Sequence, residues 1–173
     1  MRRRTALILS TTAVTAVAAG SGLALWRAGA TAAQAAADFW PRRFETPQGG
    51  ELRLASLRGK PLLLNFWATW CAPCISELPL IDRFHREQQA QGWQVVGLAV
   101  DNLAPVTEFL KKRPVGYPIG LAGMAGIELA RTLGNESGAL PFTVVFDRAG
   151  NVARRKLGII RPEDLEQWVA SVS

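Results

Sequence analysis

Only two cysteines, one histidine and one tyrosine occur among 173 residues. Two cysteines cannot staple a small domain, so the chain has to fold around an ordinary apolar core. With one histidine beside them, the ligands for a structural zinc site are also missing, since zinc wants four. A strong charge of one sign is lacking too. The formal net charge is +6, but Arg2, Arg3, Arg4 and Arg27 lie in the first 27 residues; removing those four from 20 leaves 16 basic against 14 acidic residues from Asp38 onward. A domain so nearly balanced has no basic footprint for a phosphate backbone, and no nucleic-acid partner is expected. The runs Lys111-Lys112-Arg113 and Arg154-Arg155-Lys156 are short and read as solvated surface. Phosphate loops are absent: Gly123-Met124-Ala125-Gly126 belongs to neither GxxxxGK[ST] nor GxGxxG. Disorder is excluded by 49% apolar against 20% charged residues. No internal repeat is present.

The longest uncharged run lies at the N-terminus. Three arginines precede Thr5 to Trp26, 22 residues without a charge, which as a helix would reach about 33 Å. The arginines stay cytoplasmic by the positive-inside rule, so everything after Trp26 is expected outside, in the periplasm. Residues 1–37 are therefore read as a signal or anchor segment with an Ala-rich tether from Ala28 to Ala37, and residues 38–173 as the folded domain. The length favours a membrane anchor over residues 5–26. Release by cleavage stays open, because Ala28-Gly29-Ala30 and Ala35-Ala36-Ala37 are small enough for a signal peptidase.

Within the domain, Leu62–Trp67, Gln94–Val100 and Phe142–Phe146 are continuous apolar runs, the mark of strands buried on both faces. Between the first two, residues 72–91 place Ile75, Leu78, Ile81 and Phe84 at helical spacing, which predicts parallel strands joined by a right-handed crossover. Asp101–Arg113 and Met124–Leu133 read as helices. The turn Arg148-Ala149-Gly150-Asn151 predicts a hairpin from Phe142–Phe146 into Val152–Leu157, and Pro162 opens a last helix through Ser171 with Leu165, Trp168, Val169 and Val172 inward. The expected class is α/β, a mixed central sheet flanked by helices.

The chemistry concentrates in Trp70-Cys71-Ala72-Pro73-Cys74, where a buried strand hands over to a helix. Cysteines three apart at a helix start lie within reach of a disulfide. Cys71 sits where the unpaired backbone N–H groups and the helix dipole favour a thiolate, so it is the candidate nucleophile. Cys74, one turn deeper, would resolve a mixed disulfide by attacking the Cys71 sulfur. No further cofactor is required, because the two cysteines carry both electrons themselves. A static bridge is the plainer alternative, though so short a loop adds little stability. Trp70 borders the thiol and offers an apolar lip for partners. His85 reads as surface, and Asn135-Glu136-Ser137 fits a glycan acceptor triplet.

These residues resemble the thioredoxin superfamily, and within it the TlpA/ResA-like extracytoplasmic thiol-disulfide oxidoreductases. Beyond the WCAPC segment the likeness is carried by LLLNFWATW (Leu62 to Trp70), by Pro79 and by GALPFTVVFD (Gly138 to Asp147), and it spans about Phe44 to Val172. It implies a thioredoxin-like fold, a cis peptide bond at Leu140-Pro141 beside the disulfide, and a substrate chain held by Trp70, Ala72, Pro73, Leu140 and Pro141. It matches Glu77 to a glutamate close to the cysteines; proton exchange with Cys74 and mere surface complementation of the helix dipole are both open. Asn65 stands where cytosolic thioredoxins have a titrating Asp, so that role is lost at this position. The resemblance also implies the reducing direction, protein substrates with disulfides such as apocytochrome c or copper-site assembly proteins, and electrons from a membrane thiol transporter of the DsbD or CcdA type. A disulfide oxidase or isomerase, and a binding or chaperone module without turnover, are the competing readings.

Overall fold

Leu62–Trp67 (LLLNFW) has every side chain buried, which only a central strand flanked on both faces allows. In the computed structural model, which describes residues 34–172, it is β3 of a seven-stranded mixed sheet ordered β2-β1-β5-β4-β3-β6-β7. The other strands are β1 (Arg43–Glu45), β2 (Glu51–Arg53), β4 (Gln94–Ala99), β5 (Ile119–Leu121), β6 (Phe142–Phe146) and β7 (Val152–Leu157). Strand β3 runs parallel to β4, with Asn65 opposite Gly97, and antiparallel to β6, with Phe66 opposite Phe142. The expected hairpin joins β6 to β7.

Among the described residues four helices of eight residues or more cover the sheet: α1 (Ala72–Gln88), α2 (Leu103–Lys112), α3 (Ala125–Thr132) and α4 (Pro162–Ser171). The period-two alternation of β3 sorts the core into two layers. Leu63 and Trp67 pack with Leu78, Ile81 and Phe84 of α1, Val106 of α2 and Leu165 and Trp168 of α4. On the opposite face Leu62, Leu64 and Phe66 pack with Leu129 and Ala130 of α3 and with Phe39 and Trp40. Gly97 is required where it stands: a Cβ there would lie 2.6 Å from Ile119 Cδ1 and 3.1 Å from Trp67 Nε1.

Several boundaries differ from the sequence reading. Helix α1 stops at Gln88, and a 3-10 turn, Gln89–Gln91, closes it before the left-handed Gly92. Helix α2 starts at Leu103 because Asp101 turns its carboxylate to another task, described below. Packing begins inside the stretch assigned to the tether: residues 34–39 are helical and Ala36 is buried against the second core layer. The anchor or signal segment lies outside the described residues, and among those described no helix is long and apolar enough to cross a membrane.

Candidate active site

Strand β3 ends at Trp67, and from this end of the sheet the chain turns through Ala68, Thr69 and Trp70 into α1. Two bonds close this turn on the backbone: Cys71 N–H donates to Ala68 O at 3.2 Å, and Val100 N–H to Trp67 O at 2.8 Å. Asp101 locks it from β4's side. One carboxylate oxygen accepts from Thr69 N–H at 3.1 Å and from Thr69 Oγ1 at 2.5 Å, and the other accepts from Asn102 N–H at 2.8 Å. Sequence reasoning missed this contact, because an Asp at a helix start reads first as a helix-terminus signal.

Cys71 is the N-cap of α1, in extended conformation, and its Sγ accepts the Cys74 N–H at 3.3 Å. Sulfur thus takes the position that a capping oxygen usually holds, facing free N–H donors and the positive end of the helix dipole. Pro73 sits in the first turn, where a missing N–H costs nothing. Cys71 and Cys74 are joined in a disulfide with Cα atoms 5.3 Å apart. Cys71 keeps 6% of its surface exposed and Cys74 none, so an incoming group meets Cys71 first. Pro79 lies inside α1, as read from the sequence.

Glu77, one turn beyond Cys74, is 2% exposed. The surface alternative is therefore overturned. Asn65 Nδ2 donates to its Oε1 at 2.8 Å, and the Ile160 N–H donates to its Oε2 at 2.7 Å. Burial outweighs these bonds and the field of Lys156, and raises the Glu77 pKa to about 7. Asn65, itself fully buried, also reaches Thr143 Oγ1 at 3.1 Å, so one amide ties the carboxyl to β6. Ile160 and Thr143 have no signature that sequence reading could have found.

The Leu140-Pro141 bond is cis. Because Phe142 pairs with Phe66, this bond lies at the same end of the sheet as the turn into α1; Pro141 is buried and Leu140 half-buried. The preceding loop is held by Asn135, whose Nδ2 donates to Ala139 O at 2.8 Å and whose Oδ1 accepts from Ser137 Oγ at 2.9 Å. Asn135 is 2% exposed, and the triplet braces this loop. His85 is half-buried, edge-on to Tyr117 with ring centroids 6.1 Å apart, rather than plain surface.

Ala72 and Pro73 are exposed between the cysteines. Trp70 is 62% exposed, and with Leu103, Met124, Leu157 and Ile159 it makes up the exposed large apolar residues among those described. Trp70, Leu103, Met124 and Ile159 follow, and Leu157 closes, the β3, β4, β5 or β7 ends that the register places at the disulfide's end of the sheet. An oxidisable pair, a buried acid and an apolar rim share one end.

A family model described as Redoxin matches residues 29–169. The chain belongs to the redoxin family, in the TlpA/ResA-like group of the thioredoxin superfamily. This redoxin is 31% identical over 126 residues to the thiol-disulfide oxidoreductase ResA of Geobacillus thermodenitrificans, covering 72% of this chain and 70% of that one. It is 28% identical over 127 residues to ResA of Bacillus cereus, covering 73% and 71%. Among solved structures it is similar to a thiol:disulfide interchange protein of Chlorobium tepidum, with a TM-score of 0.65, 30% identity and coverage of 76% of this chain and 92% of that one. It is also similar to MTB DsbF, with a TM-score of 0.66, 25% identity and coverage of 78% and 96%. The redoxin is a thiol-disulfide oxidoreductase.

Proposed function

We propose that this redoxin reduces disulfides in partner proteins outside the cytoplasmic membrane. The observation that carries the reading is the Cys71–Cys74 disulfide at the N-terminus of α1 with buried Glu77 one turn beneath it. In the reduced protein the Cys71 thiolate attacks one sulfur of a partner disulfide, and the other partner sulfur leaves with the bonding electron pair and takes up a proton. Cys74 then gives its proton to the Glu77 carboxylate and attacks Cys71 Sγ, which expels the second partner thiol. Two electrons have moved from the redoxin to the partner, and the Cys71–Cys74 bond seen here is the product. No cofactor enters the cycle.

Trp70, Ala72, Pro73, Leu140 and Pro141 hold the partner chain, and the apolar rim around them suits a protein surface better than a small thiol. An oxidising compartment returns an unattended pair to the disulfide, so turnover draws electrons from the cytoplasm through a membrane thiol transporter of the DsbD or CcdA type. Residues 5–26 with the preceding arginines support the extracytoplasmic placement. Apocytochrome c and metal-site assembly proteins, whose cysteines must be thiols to receive their ligand, are the substrate class.

Equilibration of the full chain with glutathione tests the direction. A reduction potential near that of strong reductants, about −270 mV, supports the reductase; a value near about −120 mV makes it a disulfide donor. Cys71→Ser abolishes turnover, while a binding module without chemistry would keep its activity on partners.

A further inference from the structure

The end of the sheet that holds the disulfide also carries charge that the exchange reaction does not use. Two contiguous clefts of about 450 and 180 Å³ lie between α1 and α2 and share Ile75, Phe109 and Arg113. The larger opens against Trp70 and Ala72, at the cysteine pair, and Lys112 and Arg113 wall it. Its floor is apolar: Ile75 and Phe109 are half-buried, and the Phe109 ring lies 5.4 Å from Trp67.

Lys112 and Arg113 are exposed, and among the described residues neither side chain makes a salt bridge or a hydrogen bond. The nearby acids are engaged elsewhere. Glu108, whose ionised form the Lys112 field also favours, is held by Lys111 at 2.7 Å. Asp82 is held by Arg86 and by the Gly116 N–H. A helix C-terminus favours cations, which accounts for basic residues in the last turn of α2. That preference does not require two of them to face an apolar groove whose lining acid, Asp82, is already held by other partners.

We propose that this groove selects acidic partners. The segment beside the target disulfide lays an apolar side chain on Trp70, Ile75 and Phe109 and sets a carboxylate against Lys112 and Arg113. The inference rests on Cys71 as the attacking thiol and leaves the bond changes as described above; what it adds is the partner's charge. Exposed pairs contribute little affinity each, so the effect is one of encounter and discrimination and is screened by salt.

The test uses the full chain in detergent micelles, reduced with dithiothreitol and desalted, then mixed with disulfide-linked peptide pairs that differ only in carrying two aspartates or two lysines beside the cysteine. Each rate is divided by that protein's own rate on neutral hydroxyethyl disulfide. The wild-type chain is expected to open the aspartate peptide about fivefold faster than the lysine peptide at low ionic strength, the ratio falling towards one in about 0.5 M salt. In the double variant K112E/R113E the ratio inverts. A wild-type ratio near one, or an unchanged ratio in the double variant, overturns the inference and leaves the exchange reading standing. Failure of the wild-type chain to open both peptide pairs and hydroxyethyl disulfide overturns that reading and this inference with it. If peptide selectivity is absent but the double variant sediments less than wild type with phosphatidylglycerol vesicles, the two cations face lipid and the inference falls.

Discussion

Among the described residues Glu77 has no ion pair in contact; an amide N–H from Asn65, a backbone N–H from Ile160 and the field of Lys156 are set against its desolvation, and its pKa stands at about 7. The proposed proton transfer needs the carboxylate, so the resolving step should accelerate as pH rises through about 7. Glu77→Gln removes that limb and slows the step at least about tenfold, below the roughly 10² to 10⁴-fold typical of acid-base groups because water still carries the proton. Stopped-flow release of the mixed disulfide between about pH 5 and 9 checks it; superimposable profiles for the two proteins would leave Glu77 without a proton-transfer role. The same shift has a signature in stability. A carboxyl whose pKa is raised from 4.5 to about 7 binds its proton more tightly when folded, so its contribution is fully present below 4.5 and is lost as pH rises through 7. The loss amounts to about 3 kcal/mol at most, and denaturant titrations should show the stability of Glu77→Gln gaining on wild type across that window. The position of Glu77 on the Cys74 face was legible from their spacing of three. Its burial was not, because the groups that enclose it are 12 and 83 residues away in sequence.

At the scale of elements, the junction between β3 and α1 depends on β4. Asp101 places one carboxylate oxygen on the N–H and hydroxyl of Thr69, in the loop that delivers Cys71, and the other on the Asn102 N–H. Asp101→Ala leaves the Thr69 N–H without that acceptor, and is expected to destabilise the fold by about 1 to 3 kcal/mol. It should also slow alkylation of reduced Cys71 several-fold, whereas Asp101→Asn, which keeps one acceptor, should recover part of both. Urea midpoints and iodoacetamide rates separate the outcomes: lost stability with unchanged thiol reactivity would show that the loop keeps its shape without the lock. Strands β3, β4 and β6 were legible because each is a buried run of five or six residues. Strands β1, β2 and β5 have three residues each, too few for a period to show, and they form because the edge of a sheet already in place offers them partners.

For the whole molecule, the sheet divides a reactive layer from an inert one. The layer under α1, α2 and α4 holds the cysteines, Glu77 and Asn65, while the opposite layer is built on the apolar cluster of Phe39, Trp40, Leu62, Leu64, Phe66 and Phe146. Phe39 stacks on Phe146 at 4.6 Å, and Trp40 meets Phe146 edge-on while its Nε1 donates to Gly150 O at 2.8 Å. These contacts join the first described helical turn to the β6-β7 hairpin, which an N-terminal Ala-rich segment gave no pattern to suggest. Phe39→Ala opens a cavity in a fully buried site and should cost about 3 to 5 kcal/mol, seen as a lower urea midpoint with an unchanged slope. Strand β6 separates that cavity from Cys71 and Cys74, so the oxidised and reduced forms should lose stability equally. The reduction potential should then move by less than about 10 mV, since about 30 mV corresponds to 1.4 kcal/mol of difference between the two forms. A shift of several tens of millivolts would mean that β6 transmits packing changes through the Leu140-Pro141 end to the disulfide, and that the two layers act as one.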